Sequence, residues 1–440
     1  MTDDTEAKKS SKSMPFNILR DDLRLSLKRV PVHGEHSGQG LDYGASHAGF
    51  AAPVTKLFAF RKEDTMHTNP KLFKKSMSLP LFIALAAFAA LAIAVQAAAQ
   101  HIITYDVPGS GTGAGQGTQA YGINRSGMVA GFYIDKDYVS HGFVRKPNGD
   151  FDRFDPTGST STFVIAINQT GAIVGWYYDV DNVIHGFLRV PDGTIRTFDD
   201  PLAGTGANQG TIAGDINDLG EIAGYYIDGG NVAQGFLLNH DGKFTTFDAP
   251  GAGTGAGQGT FPQFFSCLTD LKASTGYYID PYNVYRGFVL KPDGRVNMFD
   301  APFAGSGAGQ GTIGYSINLE GESTGYYVDE KNVDHAYVRA PDGTLTTFDV
   351  PGAGTGAGQG TIAEGNNAKG AIEGLYVDVN MVAHGFLRAT DGLITTFNAP
   401  GAGTGAYQGT YPMTNDLEGK ISGFYIDANS AYHGFLRLPD

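Results

Sequence analysis

The chain has 440 residues and a net charge of −14, from 31 Lys and Arg against 45 Asp and Glu. An acidic balance with no basic stripe argues against binding a nucleic-acid backbone, which needs clustered cations. A single cysteine, Cys267, permits no intrachain disulfide, so stability must come from burial and strand pairing.

In chain order, residues 1–65 mix charges with Gly and His and show no period. They read as an over-extended gene start or a long leader. Residues 66–97 read as a secretory signal peptide. Lys71, Lys74 and Lys75 precede an apolar run from Leu81 to Val95, and the small residues near Ala97 suit cleavage before Ala98. That run is short for a membrane span, which takes about 20 residues. The expected product is secreted or periplasmic, with no stable membrane anchor after cleavage.

Residues 98–440 repeat. A Phe-Asp-like pair closes a β-rich run at Tyr105, Phe154, Phe198, Phe247, Phe299, Phe348 and Phe397. A His-Gly-Phe-like triplet starts at His141, His185, Gln234, Arg286, His335, His384 and His433. Successive triplets lie 49 residues apart except for one gap of 44 and one of 52. Such a period signals a stacked or radial repeat architecture.

Each period predicts four strands. In the third, Thr211 to Ile216 turns through Asn217 to Gly220, and Glu221 to Asp228 turns through Gly229 to Asn231. Val232 to Leu238 then meets Lys243 to Phe247 across His240-Asp241-Gly242, a hairpin signal. β-branched and aromatic residues fill the runs, and Gly, Pro, Asn and Asp fill the breaks. The expectation is an all-β fold: a seven-bladed β-propeller of four-stranded blades, closed by the N-terminal strand completing the last blade. The strand around Thr104 and Tyr105 should pair with 431–436. A β-solenoid is the competing architecture, with open ends and caps. Two repeats deviate. The connection Pro156 to Ser161 lacks the Gly-rich loop, and three extra residues fall beside Cys267.

The series Ile-Asn-x-x-Gly, Gly-Tyr-Tyr-x-Asp, His-Gly-Phe and Asp-Gly resembles the bacterial extracellular repeats of the HAF family. Ile216-Asn217-Asp218-Leu219-Gly220 and His335-Ala336-Tyr337 show the pattern. The resemblance implies an exported repeat protein and no known catalytic residues. Gln234 and Arg286 replace the triplet His in two copies, against any role that needs every His.

Several recurrent polar residues are candidates for function. An Asp stands six residues before each triplet: Asp135, Asp179, Asp228, Asp280, Asp329, Asp378 and Asp427. Carboxylates on one rim, with Asn182, Asn231, Asn283 and Asn332 beside them, would suit calcium; turn chemistry also explains Asp there. Gln116, Gln209, Gln258, Gln310, Gln359 and Gln408 recur in the Gly-rich loops. Their amides either bond neighbouring loops or reach a sugar. Those loops lack the Lys-Ser/Thr ending of a phosphate loop. The triplet His residues, one per repeat, should be spread apart and bond a nearby Asp rather than share a zinc. In pairs such as Trp176-Tyr177 and Tyr225-Tyr226, one ring should face each side of the sheet. The reading is a binding or interaction module for glycans or a cell-surface partner. The alternatives are a polysaccharide lyase or hydrolase and a purely structural envelope protein.

Overall fold

The computed structural model describes residues 101–264 and 266–439; the leader and signal readings fall on residues outside these. Every regular element among the described residues is a β-strand. After β1 (Ile102–Tyr105), the first repeat forms β2 (Gly117–Ile123), β3 (Val129–Ile134), β4 (Ser140–Arg145) and β5 (Phe151–Phe154). The second forms β6 (Ser161–Ile167), β7 (Ile173–Tyr178), β8 (Ile184–Arg189) and β9 (Ile195–Phe198). The third forms β10 (Gly210–Ile216), β11 (Ile222–Ile227), β12 (Ala233–Leu238) and β13 (Phe244–Phe247). The fourth forms β14 (Gly259–Pro262), β15 (Ser274–Ile279), β16 (Tyr285–Leu290) and β17 (Val296–Phe299). The fifth forms β18 (Gly311–Ile317), β19 (Ser323–Val328), β20 (Asp334–Arg339) and β21 (Leu345–Phe348). The sixth forms β22 (Gly360–Asn366), β23 (Ile372–Val377), β24 (Ala383–Arg388) and β25 (Ile394–Phe397). The seventh holds β26 (Gly409–Asn415), β27 (Ile421–Ile426) and β28 (Tyr432–Arg437).

Consecutive strands of a repeat pair antiparallel, as β10 with β11, β11 with β12 and β12 with β13. Repeats join through a parallel bridge. Gly210 pairs with Ile184, and Gly259 with Ala233. Glycine is required there: Gly210 sits at φ +128°, and a Cβ on it would overlap the Ile184 carbonyl oxygen. The next residue of the Gln-Gly-Thr run has its own task. The Thr211 hydroxyl accepts the Asp200 N–H at 2.8 Å, and Thr260 accepts that of Ala249 at 2.9 Å, tying each loop to the strand it feeds.

The strand around Thr104 and Tyr105 pairs with the last strand of the array, as its sequence predicts. β1 pairs antiparallel with β28, Ile102 opposite Arg437 and Tyr105 opposite Gly434. β28 also bridges to β2, Tyr432 with Gly117. The Thr414 hydroxyl donates to the Tyr121 carbonyl at 2.8 Å, joining the seventh repeat to the first.

The triplet packs for a reason legible in its residues. The glycine of His-Gly-Phe leaves room for the aromatic ring of its own fourth strand; a Cβ on Gly235 would lie 2.8 Å from the Phe247 ring. The arginine at the end of the third strand then lies over the same ring of the preceding repeat. The Arg189 guanidinium is 4.8 Å from the Phe154 centroid, and Arg437 is 5.3 Å from Phe397. One buried apolar cluster draws residues from every repeat, among them Tyr121, Trp176, Tyr225, Tyr277, Tyr326, Leu375 and Phe424. The second aromatic of each pair goes elsewhere: Tyr177 and Tyr226 fall in separate clusters between neighbouring repeats. The alternation read from the sequence is therefore present.

The fourth repeat is the irregular one. Its first strand stops at Pro262, where sister strands such as β10 run seven residues. Cys267 is fully buried there; its thiol donates to the Gln263 carbonyl at 2.6 Å, and burial pushes its pKa up.

Candidate ligand-binding site

Strand direction gives each repeat a loop end, with the Gly-rich connection and the Asp hairpin, and a turn end, with the Ile-Asn turn. At the loop end, all seven hairpin aspartates close their own turns. One Asp179 oxygen accepts the N–H groups of Asp181 and Val183, both at 2.9 Å. Asp135, Asp228, Asp280, Asp329, Asp378 and Asp427 repeat this geometry. In all but Asp228 the other oxygen faces the triplet side chain: Asp179 lies 3.3 Å from His185 Nε2, and Asp280 lies 3.3 Å from Arg286 Nε. The opposite ring nitrogen meets the Asp of the Phe-Asp pair, as His185 Nδ1 does with Asp199 at 3.0 Å. His141, His185, His335 and His433 each stand between two aspartates, and His384 between Asp378 and Asn398, so the groups do not converge on one point. Among the described residues no group of three or more His, Cys, Asp or Glu is arranged to hold a metal ion.

Charge follows this geometry. Desolvation opposes charge on His185, but hydrogen bonds with Asp199 and Asp179 outweigh it and raise its pKa. For His335 the bond to Asp349 is the largest influence, and the shift is again upward. Burial works against the Asp179 carboxylate, yet the N–H of Val183, His185 and the N–H of Asp181 together hold its pKa below the ordinary value.

The six loop glutamines are also engaged within the fold. Gln209 Oε1 accepts the Gly206 N–H at 2.9 Å, and its Nε2 donates to Asn231 Oδ1 at 3.0 Å. Gln258 bonds Gly255 and Asn283, and Gln310 bonds Gly307 and Asn332. Gln116, Gln359 and Gln408 donate to the hairpin carbonyls of Lys136, Val379 and Ala428. Each amide clips its loop to a hairpin. The asparagines proposed as extra calcium oxygens are the partners in three of these clips.

The turn end holds the feature that the sequence reading passed over. The asparagine of the Ile-Asn motif is a latch between repeats. Asn168 Oδ1 accepts the N–H groups of its own turn, at Thr170 and Ala172, while its Nδ2 donates to the Asn217 carbonyl at 2.9 Å. Asn124 reaches Asn168, Asn217 reaches Thr269, Asn318 reaches Asn367, and Asn367 reaches Asp416. Two junctions differ. In the fourth repeat Thr269 replaces Asn, and the irregular segment supplies the link: the Ser266 carbonyl accepts the Ile317 N–H at 2.9 Å. In the seventh, Asp416 has no amide to donate, and Lys420 Nζ reaches the Arg125 carbonyl at 3.2 Å instead.

These turns surround a cavity of about 180 Å³ lined by all seven repeats. Its symmetry is broken in two layers. In the deeper layer Ile123, Ile167, Ile216, Leu268 and Ile317 are apolar, but the sixth and seventh repeats place Asn366 and Asn415 there. In the outer layer Arg125, Gln169, Asp218 and Asp270 are polar, followed by Leu319, Ala368 and Leu417. At each of these two repeat positions the lining is apolar in some repeats and polar in others. The signal was in the sequence: two Ile-Asn pairs read Asn366-Asn367 and Asn415-Asp416.

Two buried carboxyl groups stand out, Asp215 in the cavity lining and Glu373 in the sixth repeat. Burial lifts the Asp215 pKa to about 6, against the backbone N–H groups of Leu268 and Ile216 that it accepts. Asp215 thereby pins the irregular segment that forms part of the wall. Glu373 is fully buried, with neither carboxyl oxygen hydrogen-bonded among the described residues, and burial lifts its pKa to about 8. It fills the space that Gly365 leaves without a side chain, which the Asn415 amide oxygen also borders.

No protein-family model and no curated protein matches this chain. Solved structures similar to it include the BP39L lectin from Burkholderia pseudomallei, at 10% identity and TM-score 0.47, over 73% of this chain and 96% of that one. The Aleuria aurantia lectin, described as a six-bladed β-propeller with a novel fucose recognition mode, matches at 13% identity and TM-score 0.36, over 67% and 96%. A prolyl endopeptidase matches at 10% identity and TM-score 0.44, over 72% of this chain and 46% of its own. None of them transfers a functional residue to this chain.

Proposed function

We propose that the seven repeats close as a seven-bladed β-propeller of four-stranded blades. The protein is then an exported HAF-type binding module whose ligand is a carbohydrate held in the turn-end cavity. The pairing of β1 with β28, and of β28 with β2, supports closure. The observation that carries the function is the cavity's lining, apolar in some repeats and polar in others. A sugar ring has an apolar face of C–H groups and a hydroxylated edge, and needs both kinds of wall. At about 180 Å³ the site is smaller than the roughly 300–1,000 Å³ that encloses drug-sized ligands, so it suits one ring or a chain end.

Binding rather than turnover is favoured by Asp215. Its oxygens are committed to backbone N–H groups of the wall, so it is not poised as an acid or base over a substrate. Glycan-array binding followed by calorimetry tests the reading. Asn415→Ala should weaken the bound sugar at least about tenfold while leaving the melting temperature within a few degrees. Unchanged affinity would move the site away from this cavity.

A further inference from the structure

All triplet positions but Gln234 hold a residue that is a cation or becomes one on protonation. The fourth repeat shows what the slot requires. Arg286 spans the hairpin and the Phe-Asp pair, with Nε 3.3 Å from Asp280 and Nη1 2.7 Å from Asp300. His185 spans the matching two groups, Asp179 at 3.3 Å and Asp199 at 3.0 Å. His335 lies 3.7 Å from Asp329 and 3.0 Å from Asp349. A neutral imidazole has one N–H and a carboxylate only accepts, so satisfying both sides takes the doubly protonated ring. Gln234 reaches Asp248 with an amide and brings no charge; there, burial raises the pKa of the Asp248 carboxyl.

The charged groups that face the two histidines are acidic. His185 stacks on the Tyr177 ring of its second strand and faces Asp179 and Asp199. His335 stacks on Tyr327 and faces Asp329 and Asp349. Asp334 beside it is fully buried, which raises that carboxyl's pKa; the charge on His335 works the other way. Each imidazolium joins two pieces of chain, the hairpin between the second and third strands and the connection that leaves the fourth. Loss of its proton turns a bare nitrogen lone pair toward one of the carboxylates. Both histidine pKa values are raised on folding, against desolvation at His185 and chiefly by the Asp349 bond at His335. The stabilisation is therefore complete below the unfolded value of about 6.5 and is lost as pH rises through the folded one.

We propose that the loop end is a proton-operated lock. Protonated His185 and His335 clamp hairpin to connection in acid and release it as pH rises, while Arg286 keeps the fourth repeat clamped throughout. Imidazole nitrogen shifts, read by NMR on the full chain, test the charge directly. Both rings should remain doubly protonated above about pH 6.5; singly protonated rings at that pH overturn the proposal. Thermal melts test the clamp. Asp215 and Glu373 also make the parent less stable as pH rises, so the comparison is with His185→Arg/His335→Arg, which keeps both carboxyls. That variant should match the parent at about pH 5.5 and melt about 2–4 °C higher at about pH 8.5. His185→Gln/His335→Gln should melt below the parent at about pH 5.5 and match it at about pH 8.5. Arginine and glutamine profiles that both run parallel to the parent's overturn the lock.

Discussion

Asparagine and aspartate differ by one nitrogen, and at the turn end that nitrogen joins one repeat to the next. Asn168→Asp should keep its own turn, because Oδ1 still accepts, but it loses the bond to the Asn217 carbonyl and turns an oxygen toward it. A buried acceptor left without its donor costs about 1–3 kcal/mol; urea unfolding would measure it. Lys420→Met should produce a similar loss at the junction where Asp416 already stands. Glu373→Gln should do the reverse. A carboxyl whose pKa is raised on folding loses stability as pH climbs from the ordinary carboxylate value to the folded one, here from about 4.5 to about 8. The glutamine variant should therefore be more stable at pH 7, by about 3 kcal/mol, with the advantage gone at pH 4. The hairpin aspartates give a third outcome. One oxygen closes the turn and, in all but Asp228, the other faces the triplet side chain, so millimolar calcium should leave the melting temperature unchanged; a reproducible rise would restore the metal reading. Recurrence made Asp179 and Gln209 visible in the sequence, but recurrence is shared by structural and functional residues alike. Asn415 escaped notice because it hides inside a motif that tolerates it.

At the scale of the strand, the sequence carried the register closely. The third repeat was legible to within one residue at each strand boundary, because turn residues and β-branched runs alternate without ambiguity. The fourth was not. With Pro262 and three extra residues, its first strand ends early, and only the structure shows that Ser266 replaces the missing asparagine latch. The bridging glycine was legible as a loop residue, but not as the point where two strands touch. Gly210→Val should be among the most damaging single changes on the loop end. Its φ of +128° disfavours any side chain, and the Ile184 carbonyl occupies the space. A cost of more than about 4 kcal/mol is expected, read as loss of the cooperative melt, while Gly229→Val, with open space around it, should be tolerated.

Across the whole molecule, stability is shared by junctions that are similar but not identical. Six first-strand glycines bridge to the repeat before, from Gly117 to Gly409, and the second repeat, which begins with Ser161, has the shortened connection. Deleting residues 102–105 should cost more than any one latch. It removes the partner of β28 and the Tyr105 ring beneath Arg145, which lies 4.8 Å from its centroid. The expected result is a lower melting temperature and faster proteolysis at the C-terminal repeat, checked by limited digestion.

The pairing of β1 with β28 has a consequence beyond one molecule. Ile102 and Arg437 are opposite each other in the sheet and near opposite ends of the described chain, so their meeting is the slowest contact to find by diffusion. Until it forms, β28 has an open edge that any copy of β1 fits equally well. Two chains refolding side by side can therefore exchange these strands and satisfy every hydrogen bond of the pairing in a dimer. Refolding at high concentration should yield such swapped pairs, and dilution before refolding should abolish them.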